Sequence, residues 1–388
     1  GMAKSDVSVS ALSQGQVDAV LAEFGMGPSE AIRQLFGGYS GTNYAVRVEA
    51  QRWVCVKICN GYSEDEADAQ GRLMDYVHHR GFRRACTALP LADGTGFARH
   101  LPGFPAPALV LTFVQGVAAD KAIADGGVDE LQVLHSVGAS LAQLHAIEVA
   151  PLQGELRTFR DGGACLLADH CTGACQKKIR GSPHTNNHPF ADFYDMILAE
   201  LQNLMELEGL PQGVIHGDCF LDNVLVYSRD SPRSGEVSAL VDFEDVCVGP
   251  LCFDLAACAI GSCFRASDNT LDLARLRSLL RGYTETRPLS PLEETHFVGF
   301  MRAALLCNCS WRFMNFNIDH REVEECRDAY VELQSRIQAL REQRIEEEVS
   351  LLVRRMGQSR SARVLCRGVF AVAFLFAGWG VAIGCAAK

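Results

Sequence analysis

Three oxygen-bearing side chains occur at spacings that suit phosphoryl transfer. Asp218 and Asn223 lie in the stretch VIHGDCFLDNVLV (214–226), and Asp242 lies in the apolar run VSALVDF (237–243). In enzymes that transfer phosphoryl groups, one aspartate orients the attacking hydroxyl, while an asparagine and a second aspartate hold metal ions. The pattern predicts Asp218 as the catalytic base and Asn223 and Asp242 as ligands of Mg2+, a cation that prefers oxygen.

A β-hairpin would bring these side chains together. The apolar runs NVLVY (223–227) and VSALVDF flank a turn-rich segment, SRDSPRSGE. Asn223 begins the first expected strand and Asp242 ends the second, so antiparallel pairing would place them side by side. Asp218 ends a preceding apolar run, GVIHGD, and is expected close to both.

A glycine-rich turn could supply backbone groups for phosphate. The segment GGYSGTN (37–43) lies between two expected strands, and its glycines allow N–H groups to approach phosphate oxygens closely. Such a turn is weak evidence by itself. Together with the other motifs it predicts nucleotide contacts from Gly38, Ser40, Gly41, Thr42 and Asn43.

Lys57 is the one charged residue in the interior of the apolar run RWVCVKIC (52–59). Packing explains a lysine in this position poorly, whereas a nucleotide phosphate explains it well; the ordinary alternative is a side chain that reaches out to solvent. We expect its acidic partner on the following helix, with Glu66 as first choice and Asp68 as second.

Composition limits the class of protein. The 388 residues carry a formal net charge of −11, and 48% of them are hydrophobic, which argues against a nucleic-acid binder and against a disordered chain. The length allows two domains or one bilobal unit with a large core. A small-molecule substrate is expected.

The 16 cysteines are scattered through apolar segments, and no signal-peptide pattern is present at the N-terminus, which favours a reducing, cytoplasmic environment. Cys171, Cys175, His184 and His188 have the spacing C-x3-C-x8-H-x3-H. This gap is shorter than that of most zinc fingers, so an ordinary surface loop is preferred over a structural zinc site.

The order of elements indicates an α+β chain. We expect a small β-rich N-lobe that binds nucleotide (1–115) and a large, mainly helical C-lobe with the catalytic loop and acceptor site (116–345). The expected helices and strands are a helix over 8–24, a hairpin over 44–59, a helix over 64–79, a strand over 108–114, helices over 128–146 and 189–208, and helical structure over 251–350.

The C-terminal segment differs from the rest. Residues 368–387 contain no charge over 20 positions, about the length that a bilayer core requires, and a basic linker helix (346–367) precedes them. The basic flank predicts a C-terminal membrane anchor that leaves the catalytic body in the cytosol. The alternative is a hydrophobic helix that packs on the protein's own core.

The motifs resemble those of the aminoglycoside phosphotransferase and choline kinase superfamily, which has a protein-kinase-like fold. The segments GYSGTNYAV, GVIHGDCFLDNVLV and VDFEDVCVGPLCFDLA are similar to the nucleotide loop, catalytic loop and metal segment of its bacterial-type homoserine kinase branch. The likeness extends over about residues 8–343, with a poor match over 150–188.

The resemblance implies ATP and Mg2+ as cofactors and Lys57 as the residue on the nucleotide phosphates. It places adenine against backbone groups near Thr112 and Val114. It also implies structural roles for two residues: Asp254 would bond the catalytic loop from beneath, and His216 would brace that loop.

For the acceptor, the resemblance points to homoserine or a related amino alcohol. Arg312 lies where the family keeps an arginine, and a guanidinium can clamp a carboxylate. Arg302 is the second candidate, with an interhelical ion pair as its equally weighted alternative. Glu244 and Asp245 depart from the family pattern, and these acids could recruit an ammonium group.

Cys307 stands where the branch commonly has a basic residue, which leaves the acceptor open. The alternatives are hydroxylysine, choline or ethanolamine, an aminoglycoside or a sugar. A different class of protein, a membrane-tethered pseudokinase that binds nucleotide without turnover, is the remaining alternative.

Overall fold

The computed structural model of the chain describes residues 12–35, 41–149, 173–205 and 207–356. Residues 37–40 of the predicted glycine-rich turn and the predicted anchor at 368–387 lie outside these residues. Within them, no helix is both long enough and apolar enough to cross a membrane.

The N-terminal part is a five-stranded sheet with helices packed on it. The chain runs through α1 (Gln14–Glu23), β1 (Ala31–Leu35), β2 (Gly41–Val48), β3 (Arg52–Cys59), α2 (Glu64–His79), β4 (Ala98–Arg99) and β5 (Ala108–Thr112). The strands are antiparallel in the order β1-β2-β3-β5-β4. This confirms the expected hairpin of β2 and β3. The strand expected before the glycine-rich segment is β1, whose bounds the sequence did not give because AIRQL lacks a continuous apolar run.

The alternation of side chains in β3 separates two environments. Val54, Val56 and Ile58 are buried against α1, in a cluster with Val17 and other apolar residues. Because successive side chains of a strand point to opposite faces, Lys57 lies on the other face of the sheet. The register pairs Lys57 with Asn43 of β2, so both side chains project to that same face.

The helix α2 has the bounds that the sequence predicted. Ser63 and Glu66 form a capping box at its N-terminus, in which each side chain bonds the other residue's backbone N–H. Its buried residues, among them Leu73, Met74 and Val77, belong to the same core as Leu109 of β5.

The C-terminal part is mainly helical. Its elements are β6 (Val117–Ala118), α3 (Ala119–Ala124), α4 (Glu130–His145), α5 (Gly173–Gly181), α6 (Pro189–Met205), β7 (Gln212–Ile215), β8 (Val224–Val226), β9 (Val237–Leu240), β10 (Cys247–Pro250), α7 (Leu251–Ser262), α8 (Leu273–Thr286), α9 (Pro291–Met314) and α10 (Val331–Leu340). Helical backbone also covers 343–356, the first part of the predicted basic linker.

Two small antiparallel sheets carry the catalytic motif. The strands β8 and β9 pair as the predicted hairpin and are joined on their outer side by β6. The strands β7 and β10 form the second sheet, with Ile215 opposite Cys247. Sequence patterning missed β10 because CVGP is short and has a glycine and a proline.

The helices α4 and α8 cross at two glycines. A Cβ placed on Gly138 would lie 2.1 Å from the carbonyl oxygen of Leu279, and one placed on Gly282 would lie 1.9 Å from that of His135. These contacts are made to backbone atoms, which cannot rotate away as a flexible side chain could. The close crossing therefore requires glycine on both helices.

We predict that Gly138→Ala lowers the free energy of unfolding by about 1–3 kcal/mol or more, because the added methyl overpacks the crossing. Gly15→Ala is the matched control, since a Cβ at Gly15 meets nothing within 4 Å in α1. It should leave stability unchanged or raise it by up to about 1 kcal/mol. Urea unfolding measures both, and equal stabilities of the two variants would contradict the crossing geometry.

Candidate active site

The catalytic loop begins where β7 ends and turns at Gly217. This residue has φ +82°, and a Cβ on it would lie 2.5 Å from the carbonyl oxygen of Asp245. Both facts exclude a side chain at this position. The glycine lets the loop pass under the Asp245 segment and present Asp218 beyond it.

Asp254 holds the loop from beneath. Its carboxylate, fully buried in α7, accepts hydrogen bonds from the backbone N–H groups of His216 at 2.7 Å and Gly217 at 2.9 Å. His145 lies 2.9 Å from the same carboxylate through Nε2. Burial alone would raise the pKa of Asp254, but the hydrogen bonds from His145 and His216, with the electrostatic interaction of these groups with the carboxylate, outweigh burial and lower it. The implied structural role of Asp254 fits these contacts.

His216 braces the loop, as its position implied. Its Nε2 donates to the carbonyl oxygen of Val241 at 3.0 Å, and its ring packs on Phe243. Burial lowers the pKa of His216, so the ring is neutral and its Nδ1 can accept the Asp218 N–H at 3.4 Å. The ring thus joins the catalytic loop to the segment that follows β9.

A buried polar chain extends from Asp254 to the start of α9. Tyr283 lies 2.7 Å from His145 Nδ1 and accepts a hydrogen bond from Arg287 at 3.0 Å. Arg287 also donates to Glu293, a fully buried carboxylate, at 3.1 Å. Because arginine can only donate, the Tyr283 hydroxyl accepts from Arg287 and donates a hydrogen bond to His145 Nδ1. His145 then donates from Nε2 to the Asp254 carboxylate. One direction of donation thus runs from Arg287 through Tyr283 and His145 to Asp254.

Asn223 contacts Asp218 at the catalytic loop. Asn223 Nδ2 donates to the Asp218 carboxylate at 2.7 Å and to its carbonyl oxygen at 2.9 Å. The backbone carbonyl oxygen of Asn223 accepts the Val241 N–H at 2.9 Å, which places Asn223 beside the residue that precedes Asp242. The hairpin therefore places the Asp218–Asn223 pair beside the segment that carries Asp242. Asp242 itself has φ +66°, a conformation that few residues other than glycine adopt.

The site has an excess of negative charge. Burial and the charges of Asp245, Asp222 and Asp242 raise the pKa of Asp218 to about 8, against the lowering effect of the Asn223 hydrogen bond. A divalent cation would offset this repulsion. The carboxylate of Asp242 and the amide oxygen of Asn223 are ligand types that suit Mg2+, so the donor set fits such an ion.

Lys57 faces these acids from the N-terminal sheet. Its ammonium lies 3.2 Å from Asp242 Oδ1 and forms an ion pair with Glu244. Burial would lower the pKa of Lys57, but the charges of the two carboxylates outweigh burial and raise it. The lysine is therefore protonated and directed at the predicted metal ligand.

The predicted partners of Lys57 need correction. Glu66 is committed to the α2 capping box, where it accepts from Ser63 at 2.9 Å, and Asp68 accepts the Phe97 N–H at 2.5 Å. Glu66 therefore caps the N-terminus of α2, and Asp68 binds backbone N–H groups at the start of β4.

Glu244, expected at the rim of the acceptor pocket, instead lies against Lys57 with 10% of its side chain exposed. Sequence reasoning also missed Gln70 of α2, whose side-chain amide donates to the Phe243 carbonyl oxygen at 3.1 Å. A glutamine in an amphipathic helix gives no signal of such a contact.

The two candidate arginines have protein partners. Arg302 lies 3.2 Å from Glu346 and 3.9 Å from Glu200, which is the interhelical ion pair named as its alternative. A guanidinium neutralised by two carboxylates is a poor anion clamp, so we withdraw Arg302.

Arg312 donates from Nη1 to the Ala329 carbonyl oxygen at 3.1 Å and to Glu332 at 3.4 Å, so one of its guanidinium nitrogens already has protein partners. Glu332 also pairs with Arg336, which donates to the carbonyl oxygen of Ile260 near the end of α7. The adjacent Gly261 packs against Phe220 of the catalytic loop.

Thr112 ends β5 opposite Val54, and its N–H and hydroxyl bond the backbone of Thr87. The chain then passes through Val114 into β6, which joins the two parts of the fold. Gly41, Thr42 and Asn43 begin β2, with Asn43 opposite Lys57. Gly38 and Ser40 lie outside the described residues.

The Cys and His residues of the loop do not converge where they are described. Cys175 is buried with its thiol 3.3 Å from Met314 Sδ, His184 bonds Arg321, and His188 packs on Phe313. Cys171 lies outside the described residues. Among the described residues, no group of three or more His, Cys, Asp or Glu side chains could hold a metal ion.

Comparisons with known proteins bear on the family and the fold. The family model of the phosphotransferase enzyme family (APH) matches residues 31–289. A homoserine kinase of Methylobacillus flagellatus is 25% identical over 292 residues, which are 75% of this chain and 82% of that protein. A homoserine kinase of Parvibaculum lavamentivorans is 27% identical over 72% of this chain and 78% of its own length.

Solved structures show the same fold. A microcompartment-associated aminopropanol kinase gives a TM-score of 0.60 at 18% identity, covering 87% of this chain and 98% of its own. A choline/ethanolamine kinase family protein from Mesorhizobium loti gives 0.57 at 17% identity, covering 87% and 99%. The amicoumacin kinase hAmiN, solved with AMP-PNP and Ca2+, gives 0.57 at 14% identity, covering 80% and 88%. The kinase-like fold, with a β-sheet N-terminal region and a helical C-terminal region, is thereby confirmed.

We predict that Tyr283→Phe lowers the free energy of unfolding by about 1–3 kcal/mol, because it removes the hydroxyl that bonds the buried His145 Nδ1 and one nitrogen of Arg287. Tyr76→Phe is the matched control, since its hydroxyl donates to the Glu148 carbonyl oxygen at 2.9 Å in an exposed setting. That loss should stay below about 1 kcal/mol. Urea unfolding compares them, and equal losses would argue against the buried chain.

Proposed function

Because the chain belongs to the phosphotransferase enzyme family, we propose that it transfers the γ-phosphoryl group of ATP to the hydroxyl of a small amino alcohol, with homoserine as first candidate. The observation that supports this most directly is the convergence of Asp218, Asn223 and Asp242 at one place, with Lys57 facing Asp242 at 3.2 Å. In this set, Asp218 can accept a hydroxyl proton, Asn223 and Asp242 can bind a metal ion, and the Lys57 ammonium can bind phosphate.

Each residue has a role in the proposal. Asp218 accepts a hydrogen bond from the acceptor hydroxyl, orients it and takes its proton as the new bond to phosphorus forms. Lys57 binds the nucleotide phosphates. Asn223 and Asp242 would hold Mg2+, which supplies charge neutralisation on the phosphates. The bound AMP-PNP and Ca2+ of the amicoumacin kinase support a nucleotide and a divalent ion in this fold.

The nucleotide binds between the two parts of the fold in this proposal. Adenine contacts backbone groups between Thr112 and Val114, where β5 leads into β6. Gly38, Ser40, Gly41, Thr42 and Asn43 cover the phosphates. The position of Asn43 opposite Lys57 supports this, because the start of β2 then lies over the face that holds the lysine.

Homoserine is favoured by the names of the curated relatives and by Arg312. The remaining nitrogens of the Arg312 guanidinium can bind the acceptor carboxylate, and Asp222 or Asp245 can face its ammonium group. Glu244 is not part of this acceptor site, since its carboxylate is on Lys57.

A second acceptor class is favoured by specific observations. Arg302 is already paired, and the buried Cys307 stands where the homoserine kinase branch commonly has a basic residue. These features reduce the positive charge available for a carboxylate. An amino alcohol without one, such as aminopropanol, ethanolamine or choline, is therefore the alternative, in line with the names of two structural neighbours.

A panel of acceptors distinguishes the two classes. We predict that Mg-ATP-dependent ADP release is faster with homoserine than with 3-amino-1-propanol, which is homoserine without its carboxylate, by about tenfold or more in kcat/KM. Ethanolamine, choline, hydroxylysine and an aminoglycoside complete the panel, and excess chelator serves as the zero-rate control. Faster turnover of the analogue without a carboxylate would replace homoserine by the second class, and no turnover with any acceptor would favour a pseudokinase.

We predict that Asp218→Ala lowers kcat by at least about 100-fold while the affinity for Mg-ATP changes little, because the base acts mainly in the transition state. Asp230→Ala is the control, since its carboxylate is exposed on the turn between β8 and β9. Coupled ADP assays and calorimetry measure the two quantities. If the Asp218 variant keeps a tenth of the wild-type rate, the assigned role is wrong.

A further inference from the structure

Lys57 is a buried cation held by two acids. Its side chain is 8% exposed, and both acids, Asp242 and Glu244, come from the segment between β9 and β10. A buried ammonium needs a close opposite charge, because removal from water costs several kcal/mol that only a partner offsets. The pairing with this segment is therefore a requirement of the lysine's burial.

The two acids differ in what else they can do. The Asp242 side chain is 28% exposed and faces the catalytic loop, where it is a proposed metal ligand. When its carboxylate binds a cation, it has less negative charge to offer the lysine. Glu244 is only 10% exposed and lies directly on Lys57, so it can hold the lysine throughout the reaction.

The helix α2 approaches this segment with a neutral group. Gln70, 9% exposed, donates from its side chain to the Phe243 carbonyl oxygen at 3.1 Å. The acids of the first turns of α2 have other tasks: Glu66 caps the helix, and Asp68 binds the N–H groups at the start of β4. The helix thus supports the backbone between Asp242 and Glu244 while the segment itself supplies the charge.

We propose that Glu244 is the positioning residue that fixes the Lys57 ammonium for phosphate binding, the task that the sequence assigned to an acid of α2. The inference rests on the proposed function, in which Lys57 binds the nucleotide phosphates. Since Asp242 and Glu244 are separated by a single residue, the lysine and the metal ligand are then placed by one short segment.

The substitution Glu244→Gln tests this, because it keeps the side-chain size and removes the charge. We expect kcat/KM for ATP to fall by about tenfold or more while KM for the acceptor stays within about twofold. The matched control is Glu30→Gln, which removes the acid of a half-exposed ion pair between the residue before β1 and Arg47 of β2, 3.1 Å apart. Glu66→Gln is the competing variant, and its loss in kcat/KM should be several-fold smaller than that of Glu244→Gln.

A double-mutant cycle shows whether Glu244 acts through the lysine. In a Lys57→Met background, adding Glu244→Gln should change kcat/KM for ATP by less than about twofold, because the group that it positions is gone. Additive losses, a Glu244→Gln variant with wild-type kinetics, or a larger loss in Glu66→Gln would each overturn the inference. Thermal unfolding is measured for every variant. If Glu244→Gln alone does not fold, recovery of folding in the double variant supports the pair, and failure of both refutes a positioning role.

Calorimetric affinity for AMP-PNP with Mg2+ separates this inference from the proposed function. A wild type that binds the nucleotide but phosphorylates no acceptor would end the kinase proposal. The ratio of affinities between wild type and Glu244→Gln would still report on the lysine. If the wild type turns over substrate and Glu244→Gln has the same nucleotide affinity and rate, the positioning role of Glu244 is refuted and the proposed function stands.

Discussion

The geometry of the candidate site depends on one buried carboxylate. Asp254 lies in α7, a helix whose other residues are almost entirely apolar and buried, and taking its charge out of water is expensive. Three donors offset that cost: the backbone N–H groups of His216 and Gly217, and the imidazole of His145. Two of these donors belong to the catalytic loop. The contacts that offset the burial cost of the Asp254 charge therefore also fix the position of Asp218.

The chain behind Asp254 explains why this arrangement can be rigid. His145, Tyr283, Arg287 and Glu293 come from α4, α8, the turn after α8 and the start of α9, so the hydrogen bonds tie three helices to the loop. A connected buried network favours one arrangement, since displacement of a member leaves further buried donors or acceptors unpaired. The close glycine crossing of α4 and α8 holds His145 and Tyr283 within reach of each other.

Local patterns predicted the elements well but predicted their contacts unevenly. The bounds of α2 followed from its capping box, and the β8–β9 hairpin followed from two apolar runs around a polar turn. The partner of Lys57 could not be derived in this way. Several acids in α2 and after β9 were chemically equivalent in the sequence, and only the folded structure shows that Asp242 and Glu244 meet the lysine. The same holds for Arg302, whose acidic partners are distant in sequence.

The segment after β9 makes several contacts within four residues. Its side chains alternate between two directions, and Asp242 has a positive φ. Asp242 and Glu244 both contact Lys57, while Phe243 between them packs on His216 and accepts the Gln70 amide. Asp245 then covers Gly217, where no side chain fits. The positive φ of Asp242 costs about 1 kcal/mol or more for a residue that is not glycine. A carboxylate occupies this strained position, where its oxygen atoms contact Lys57 and would serve as ligands of a cation.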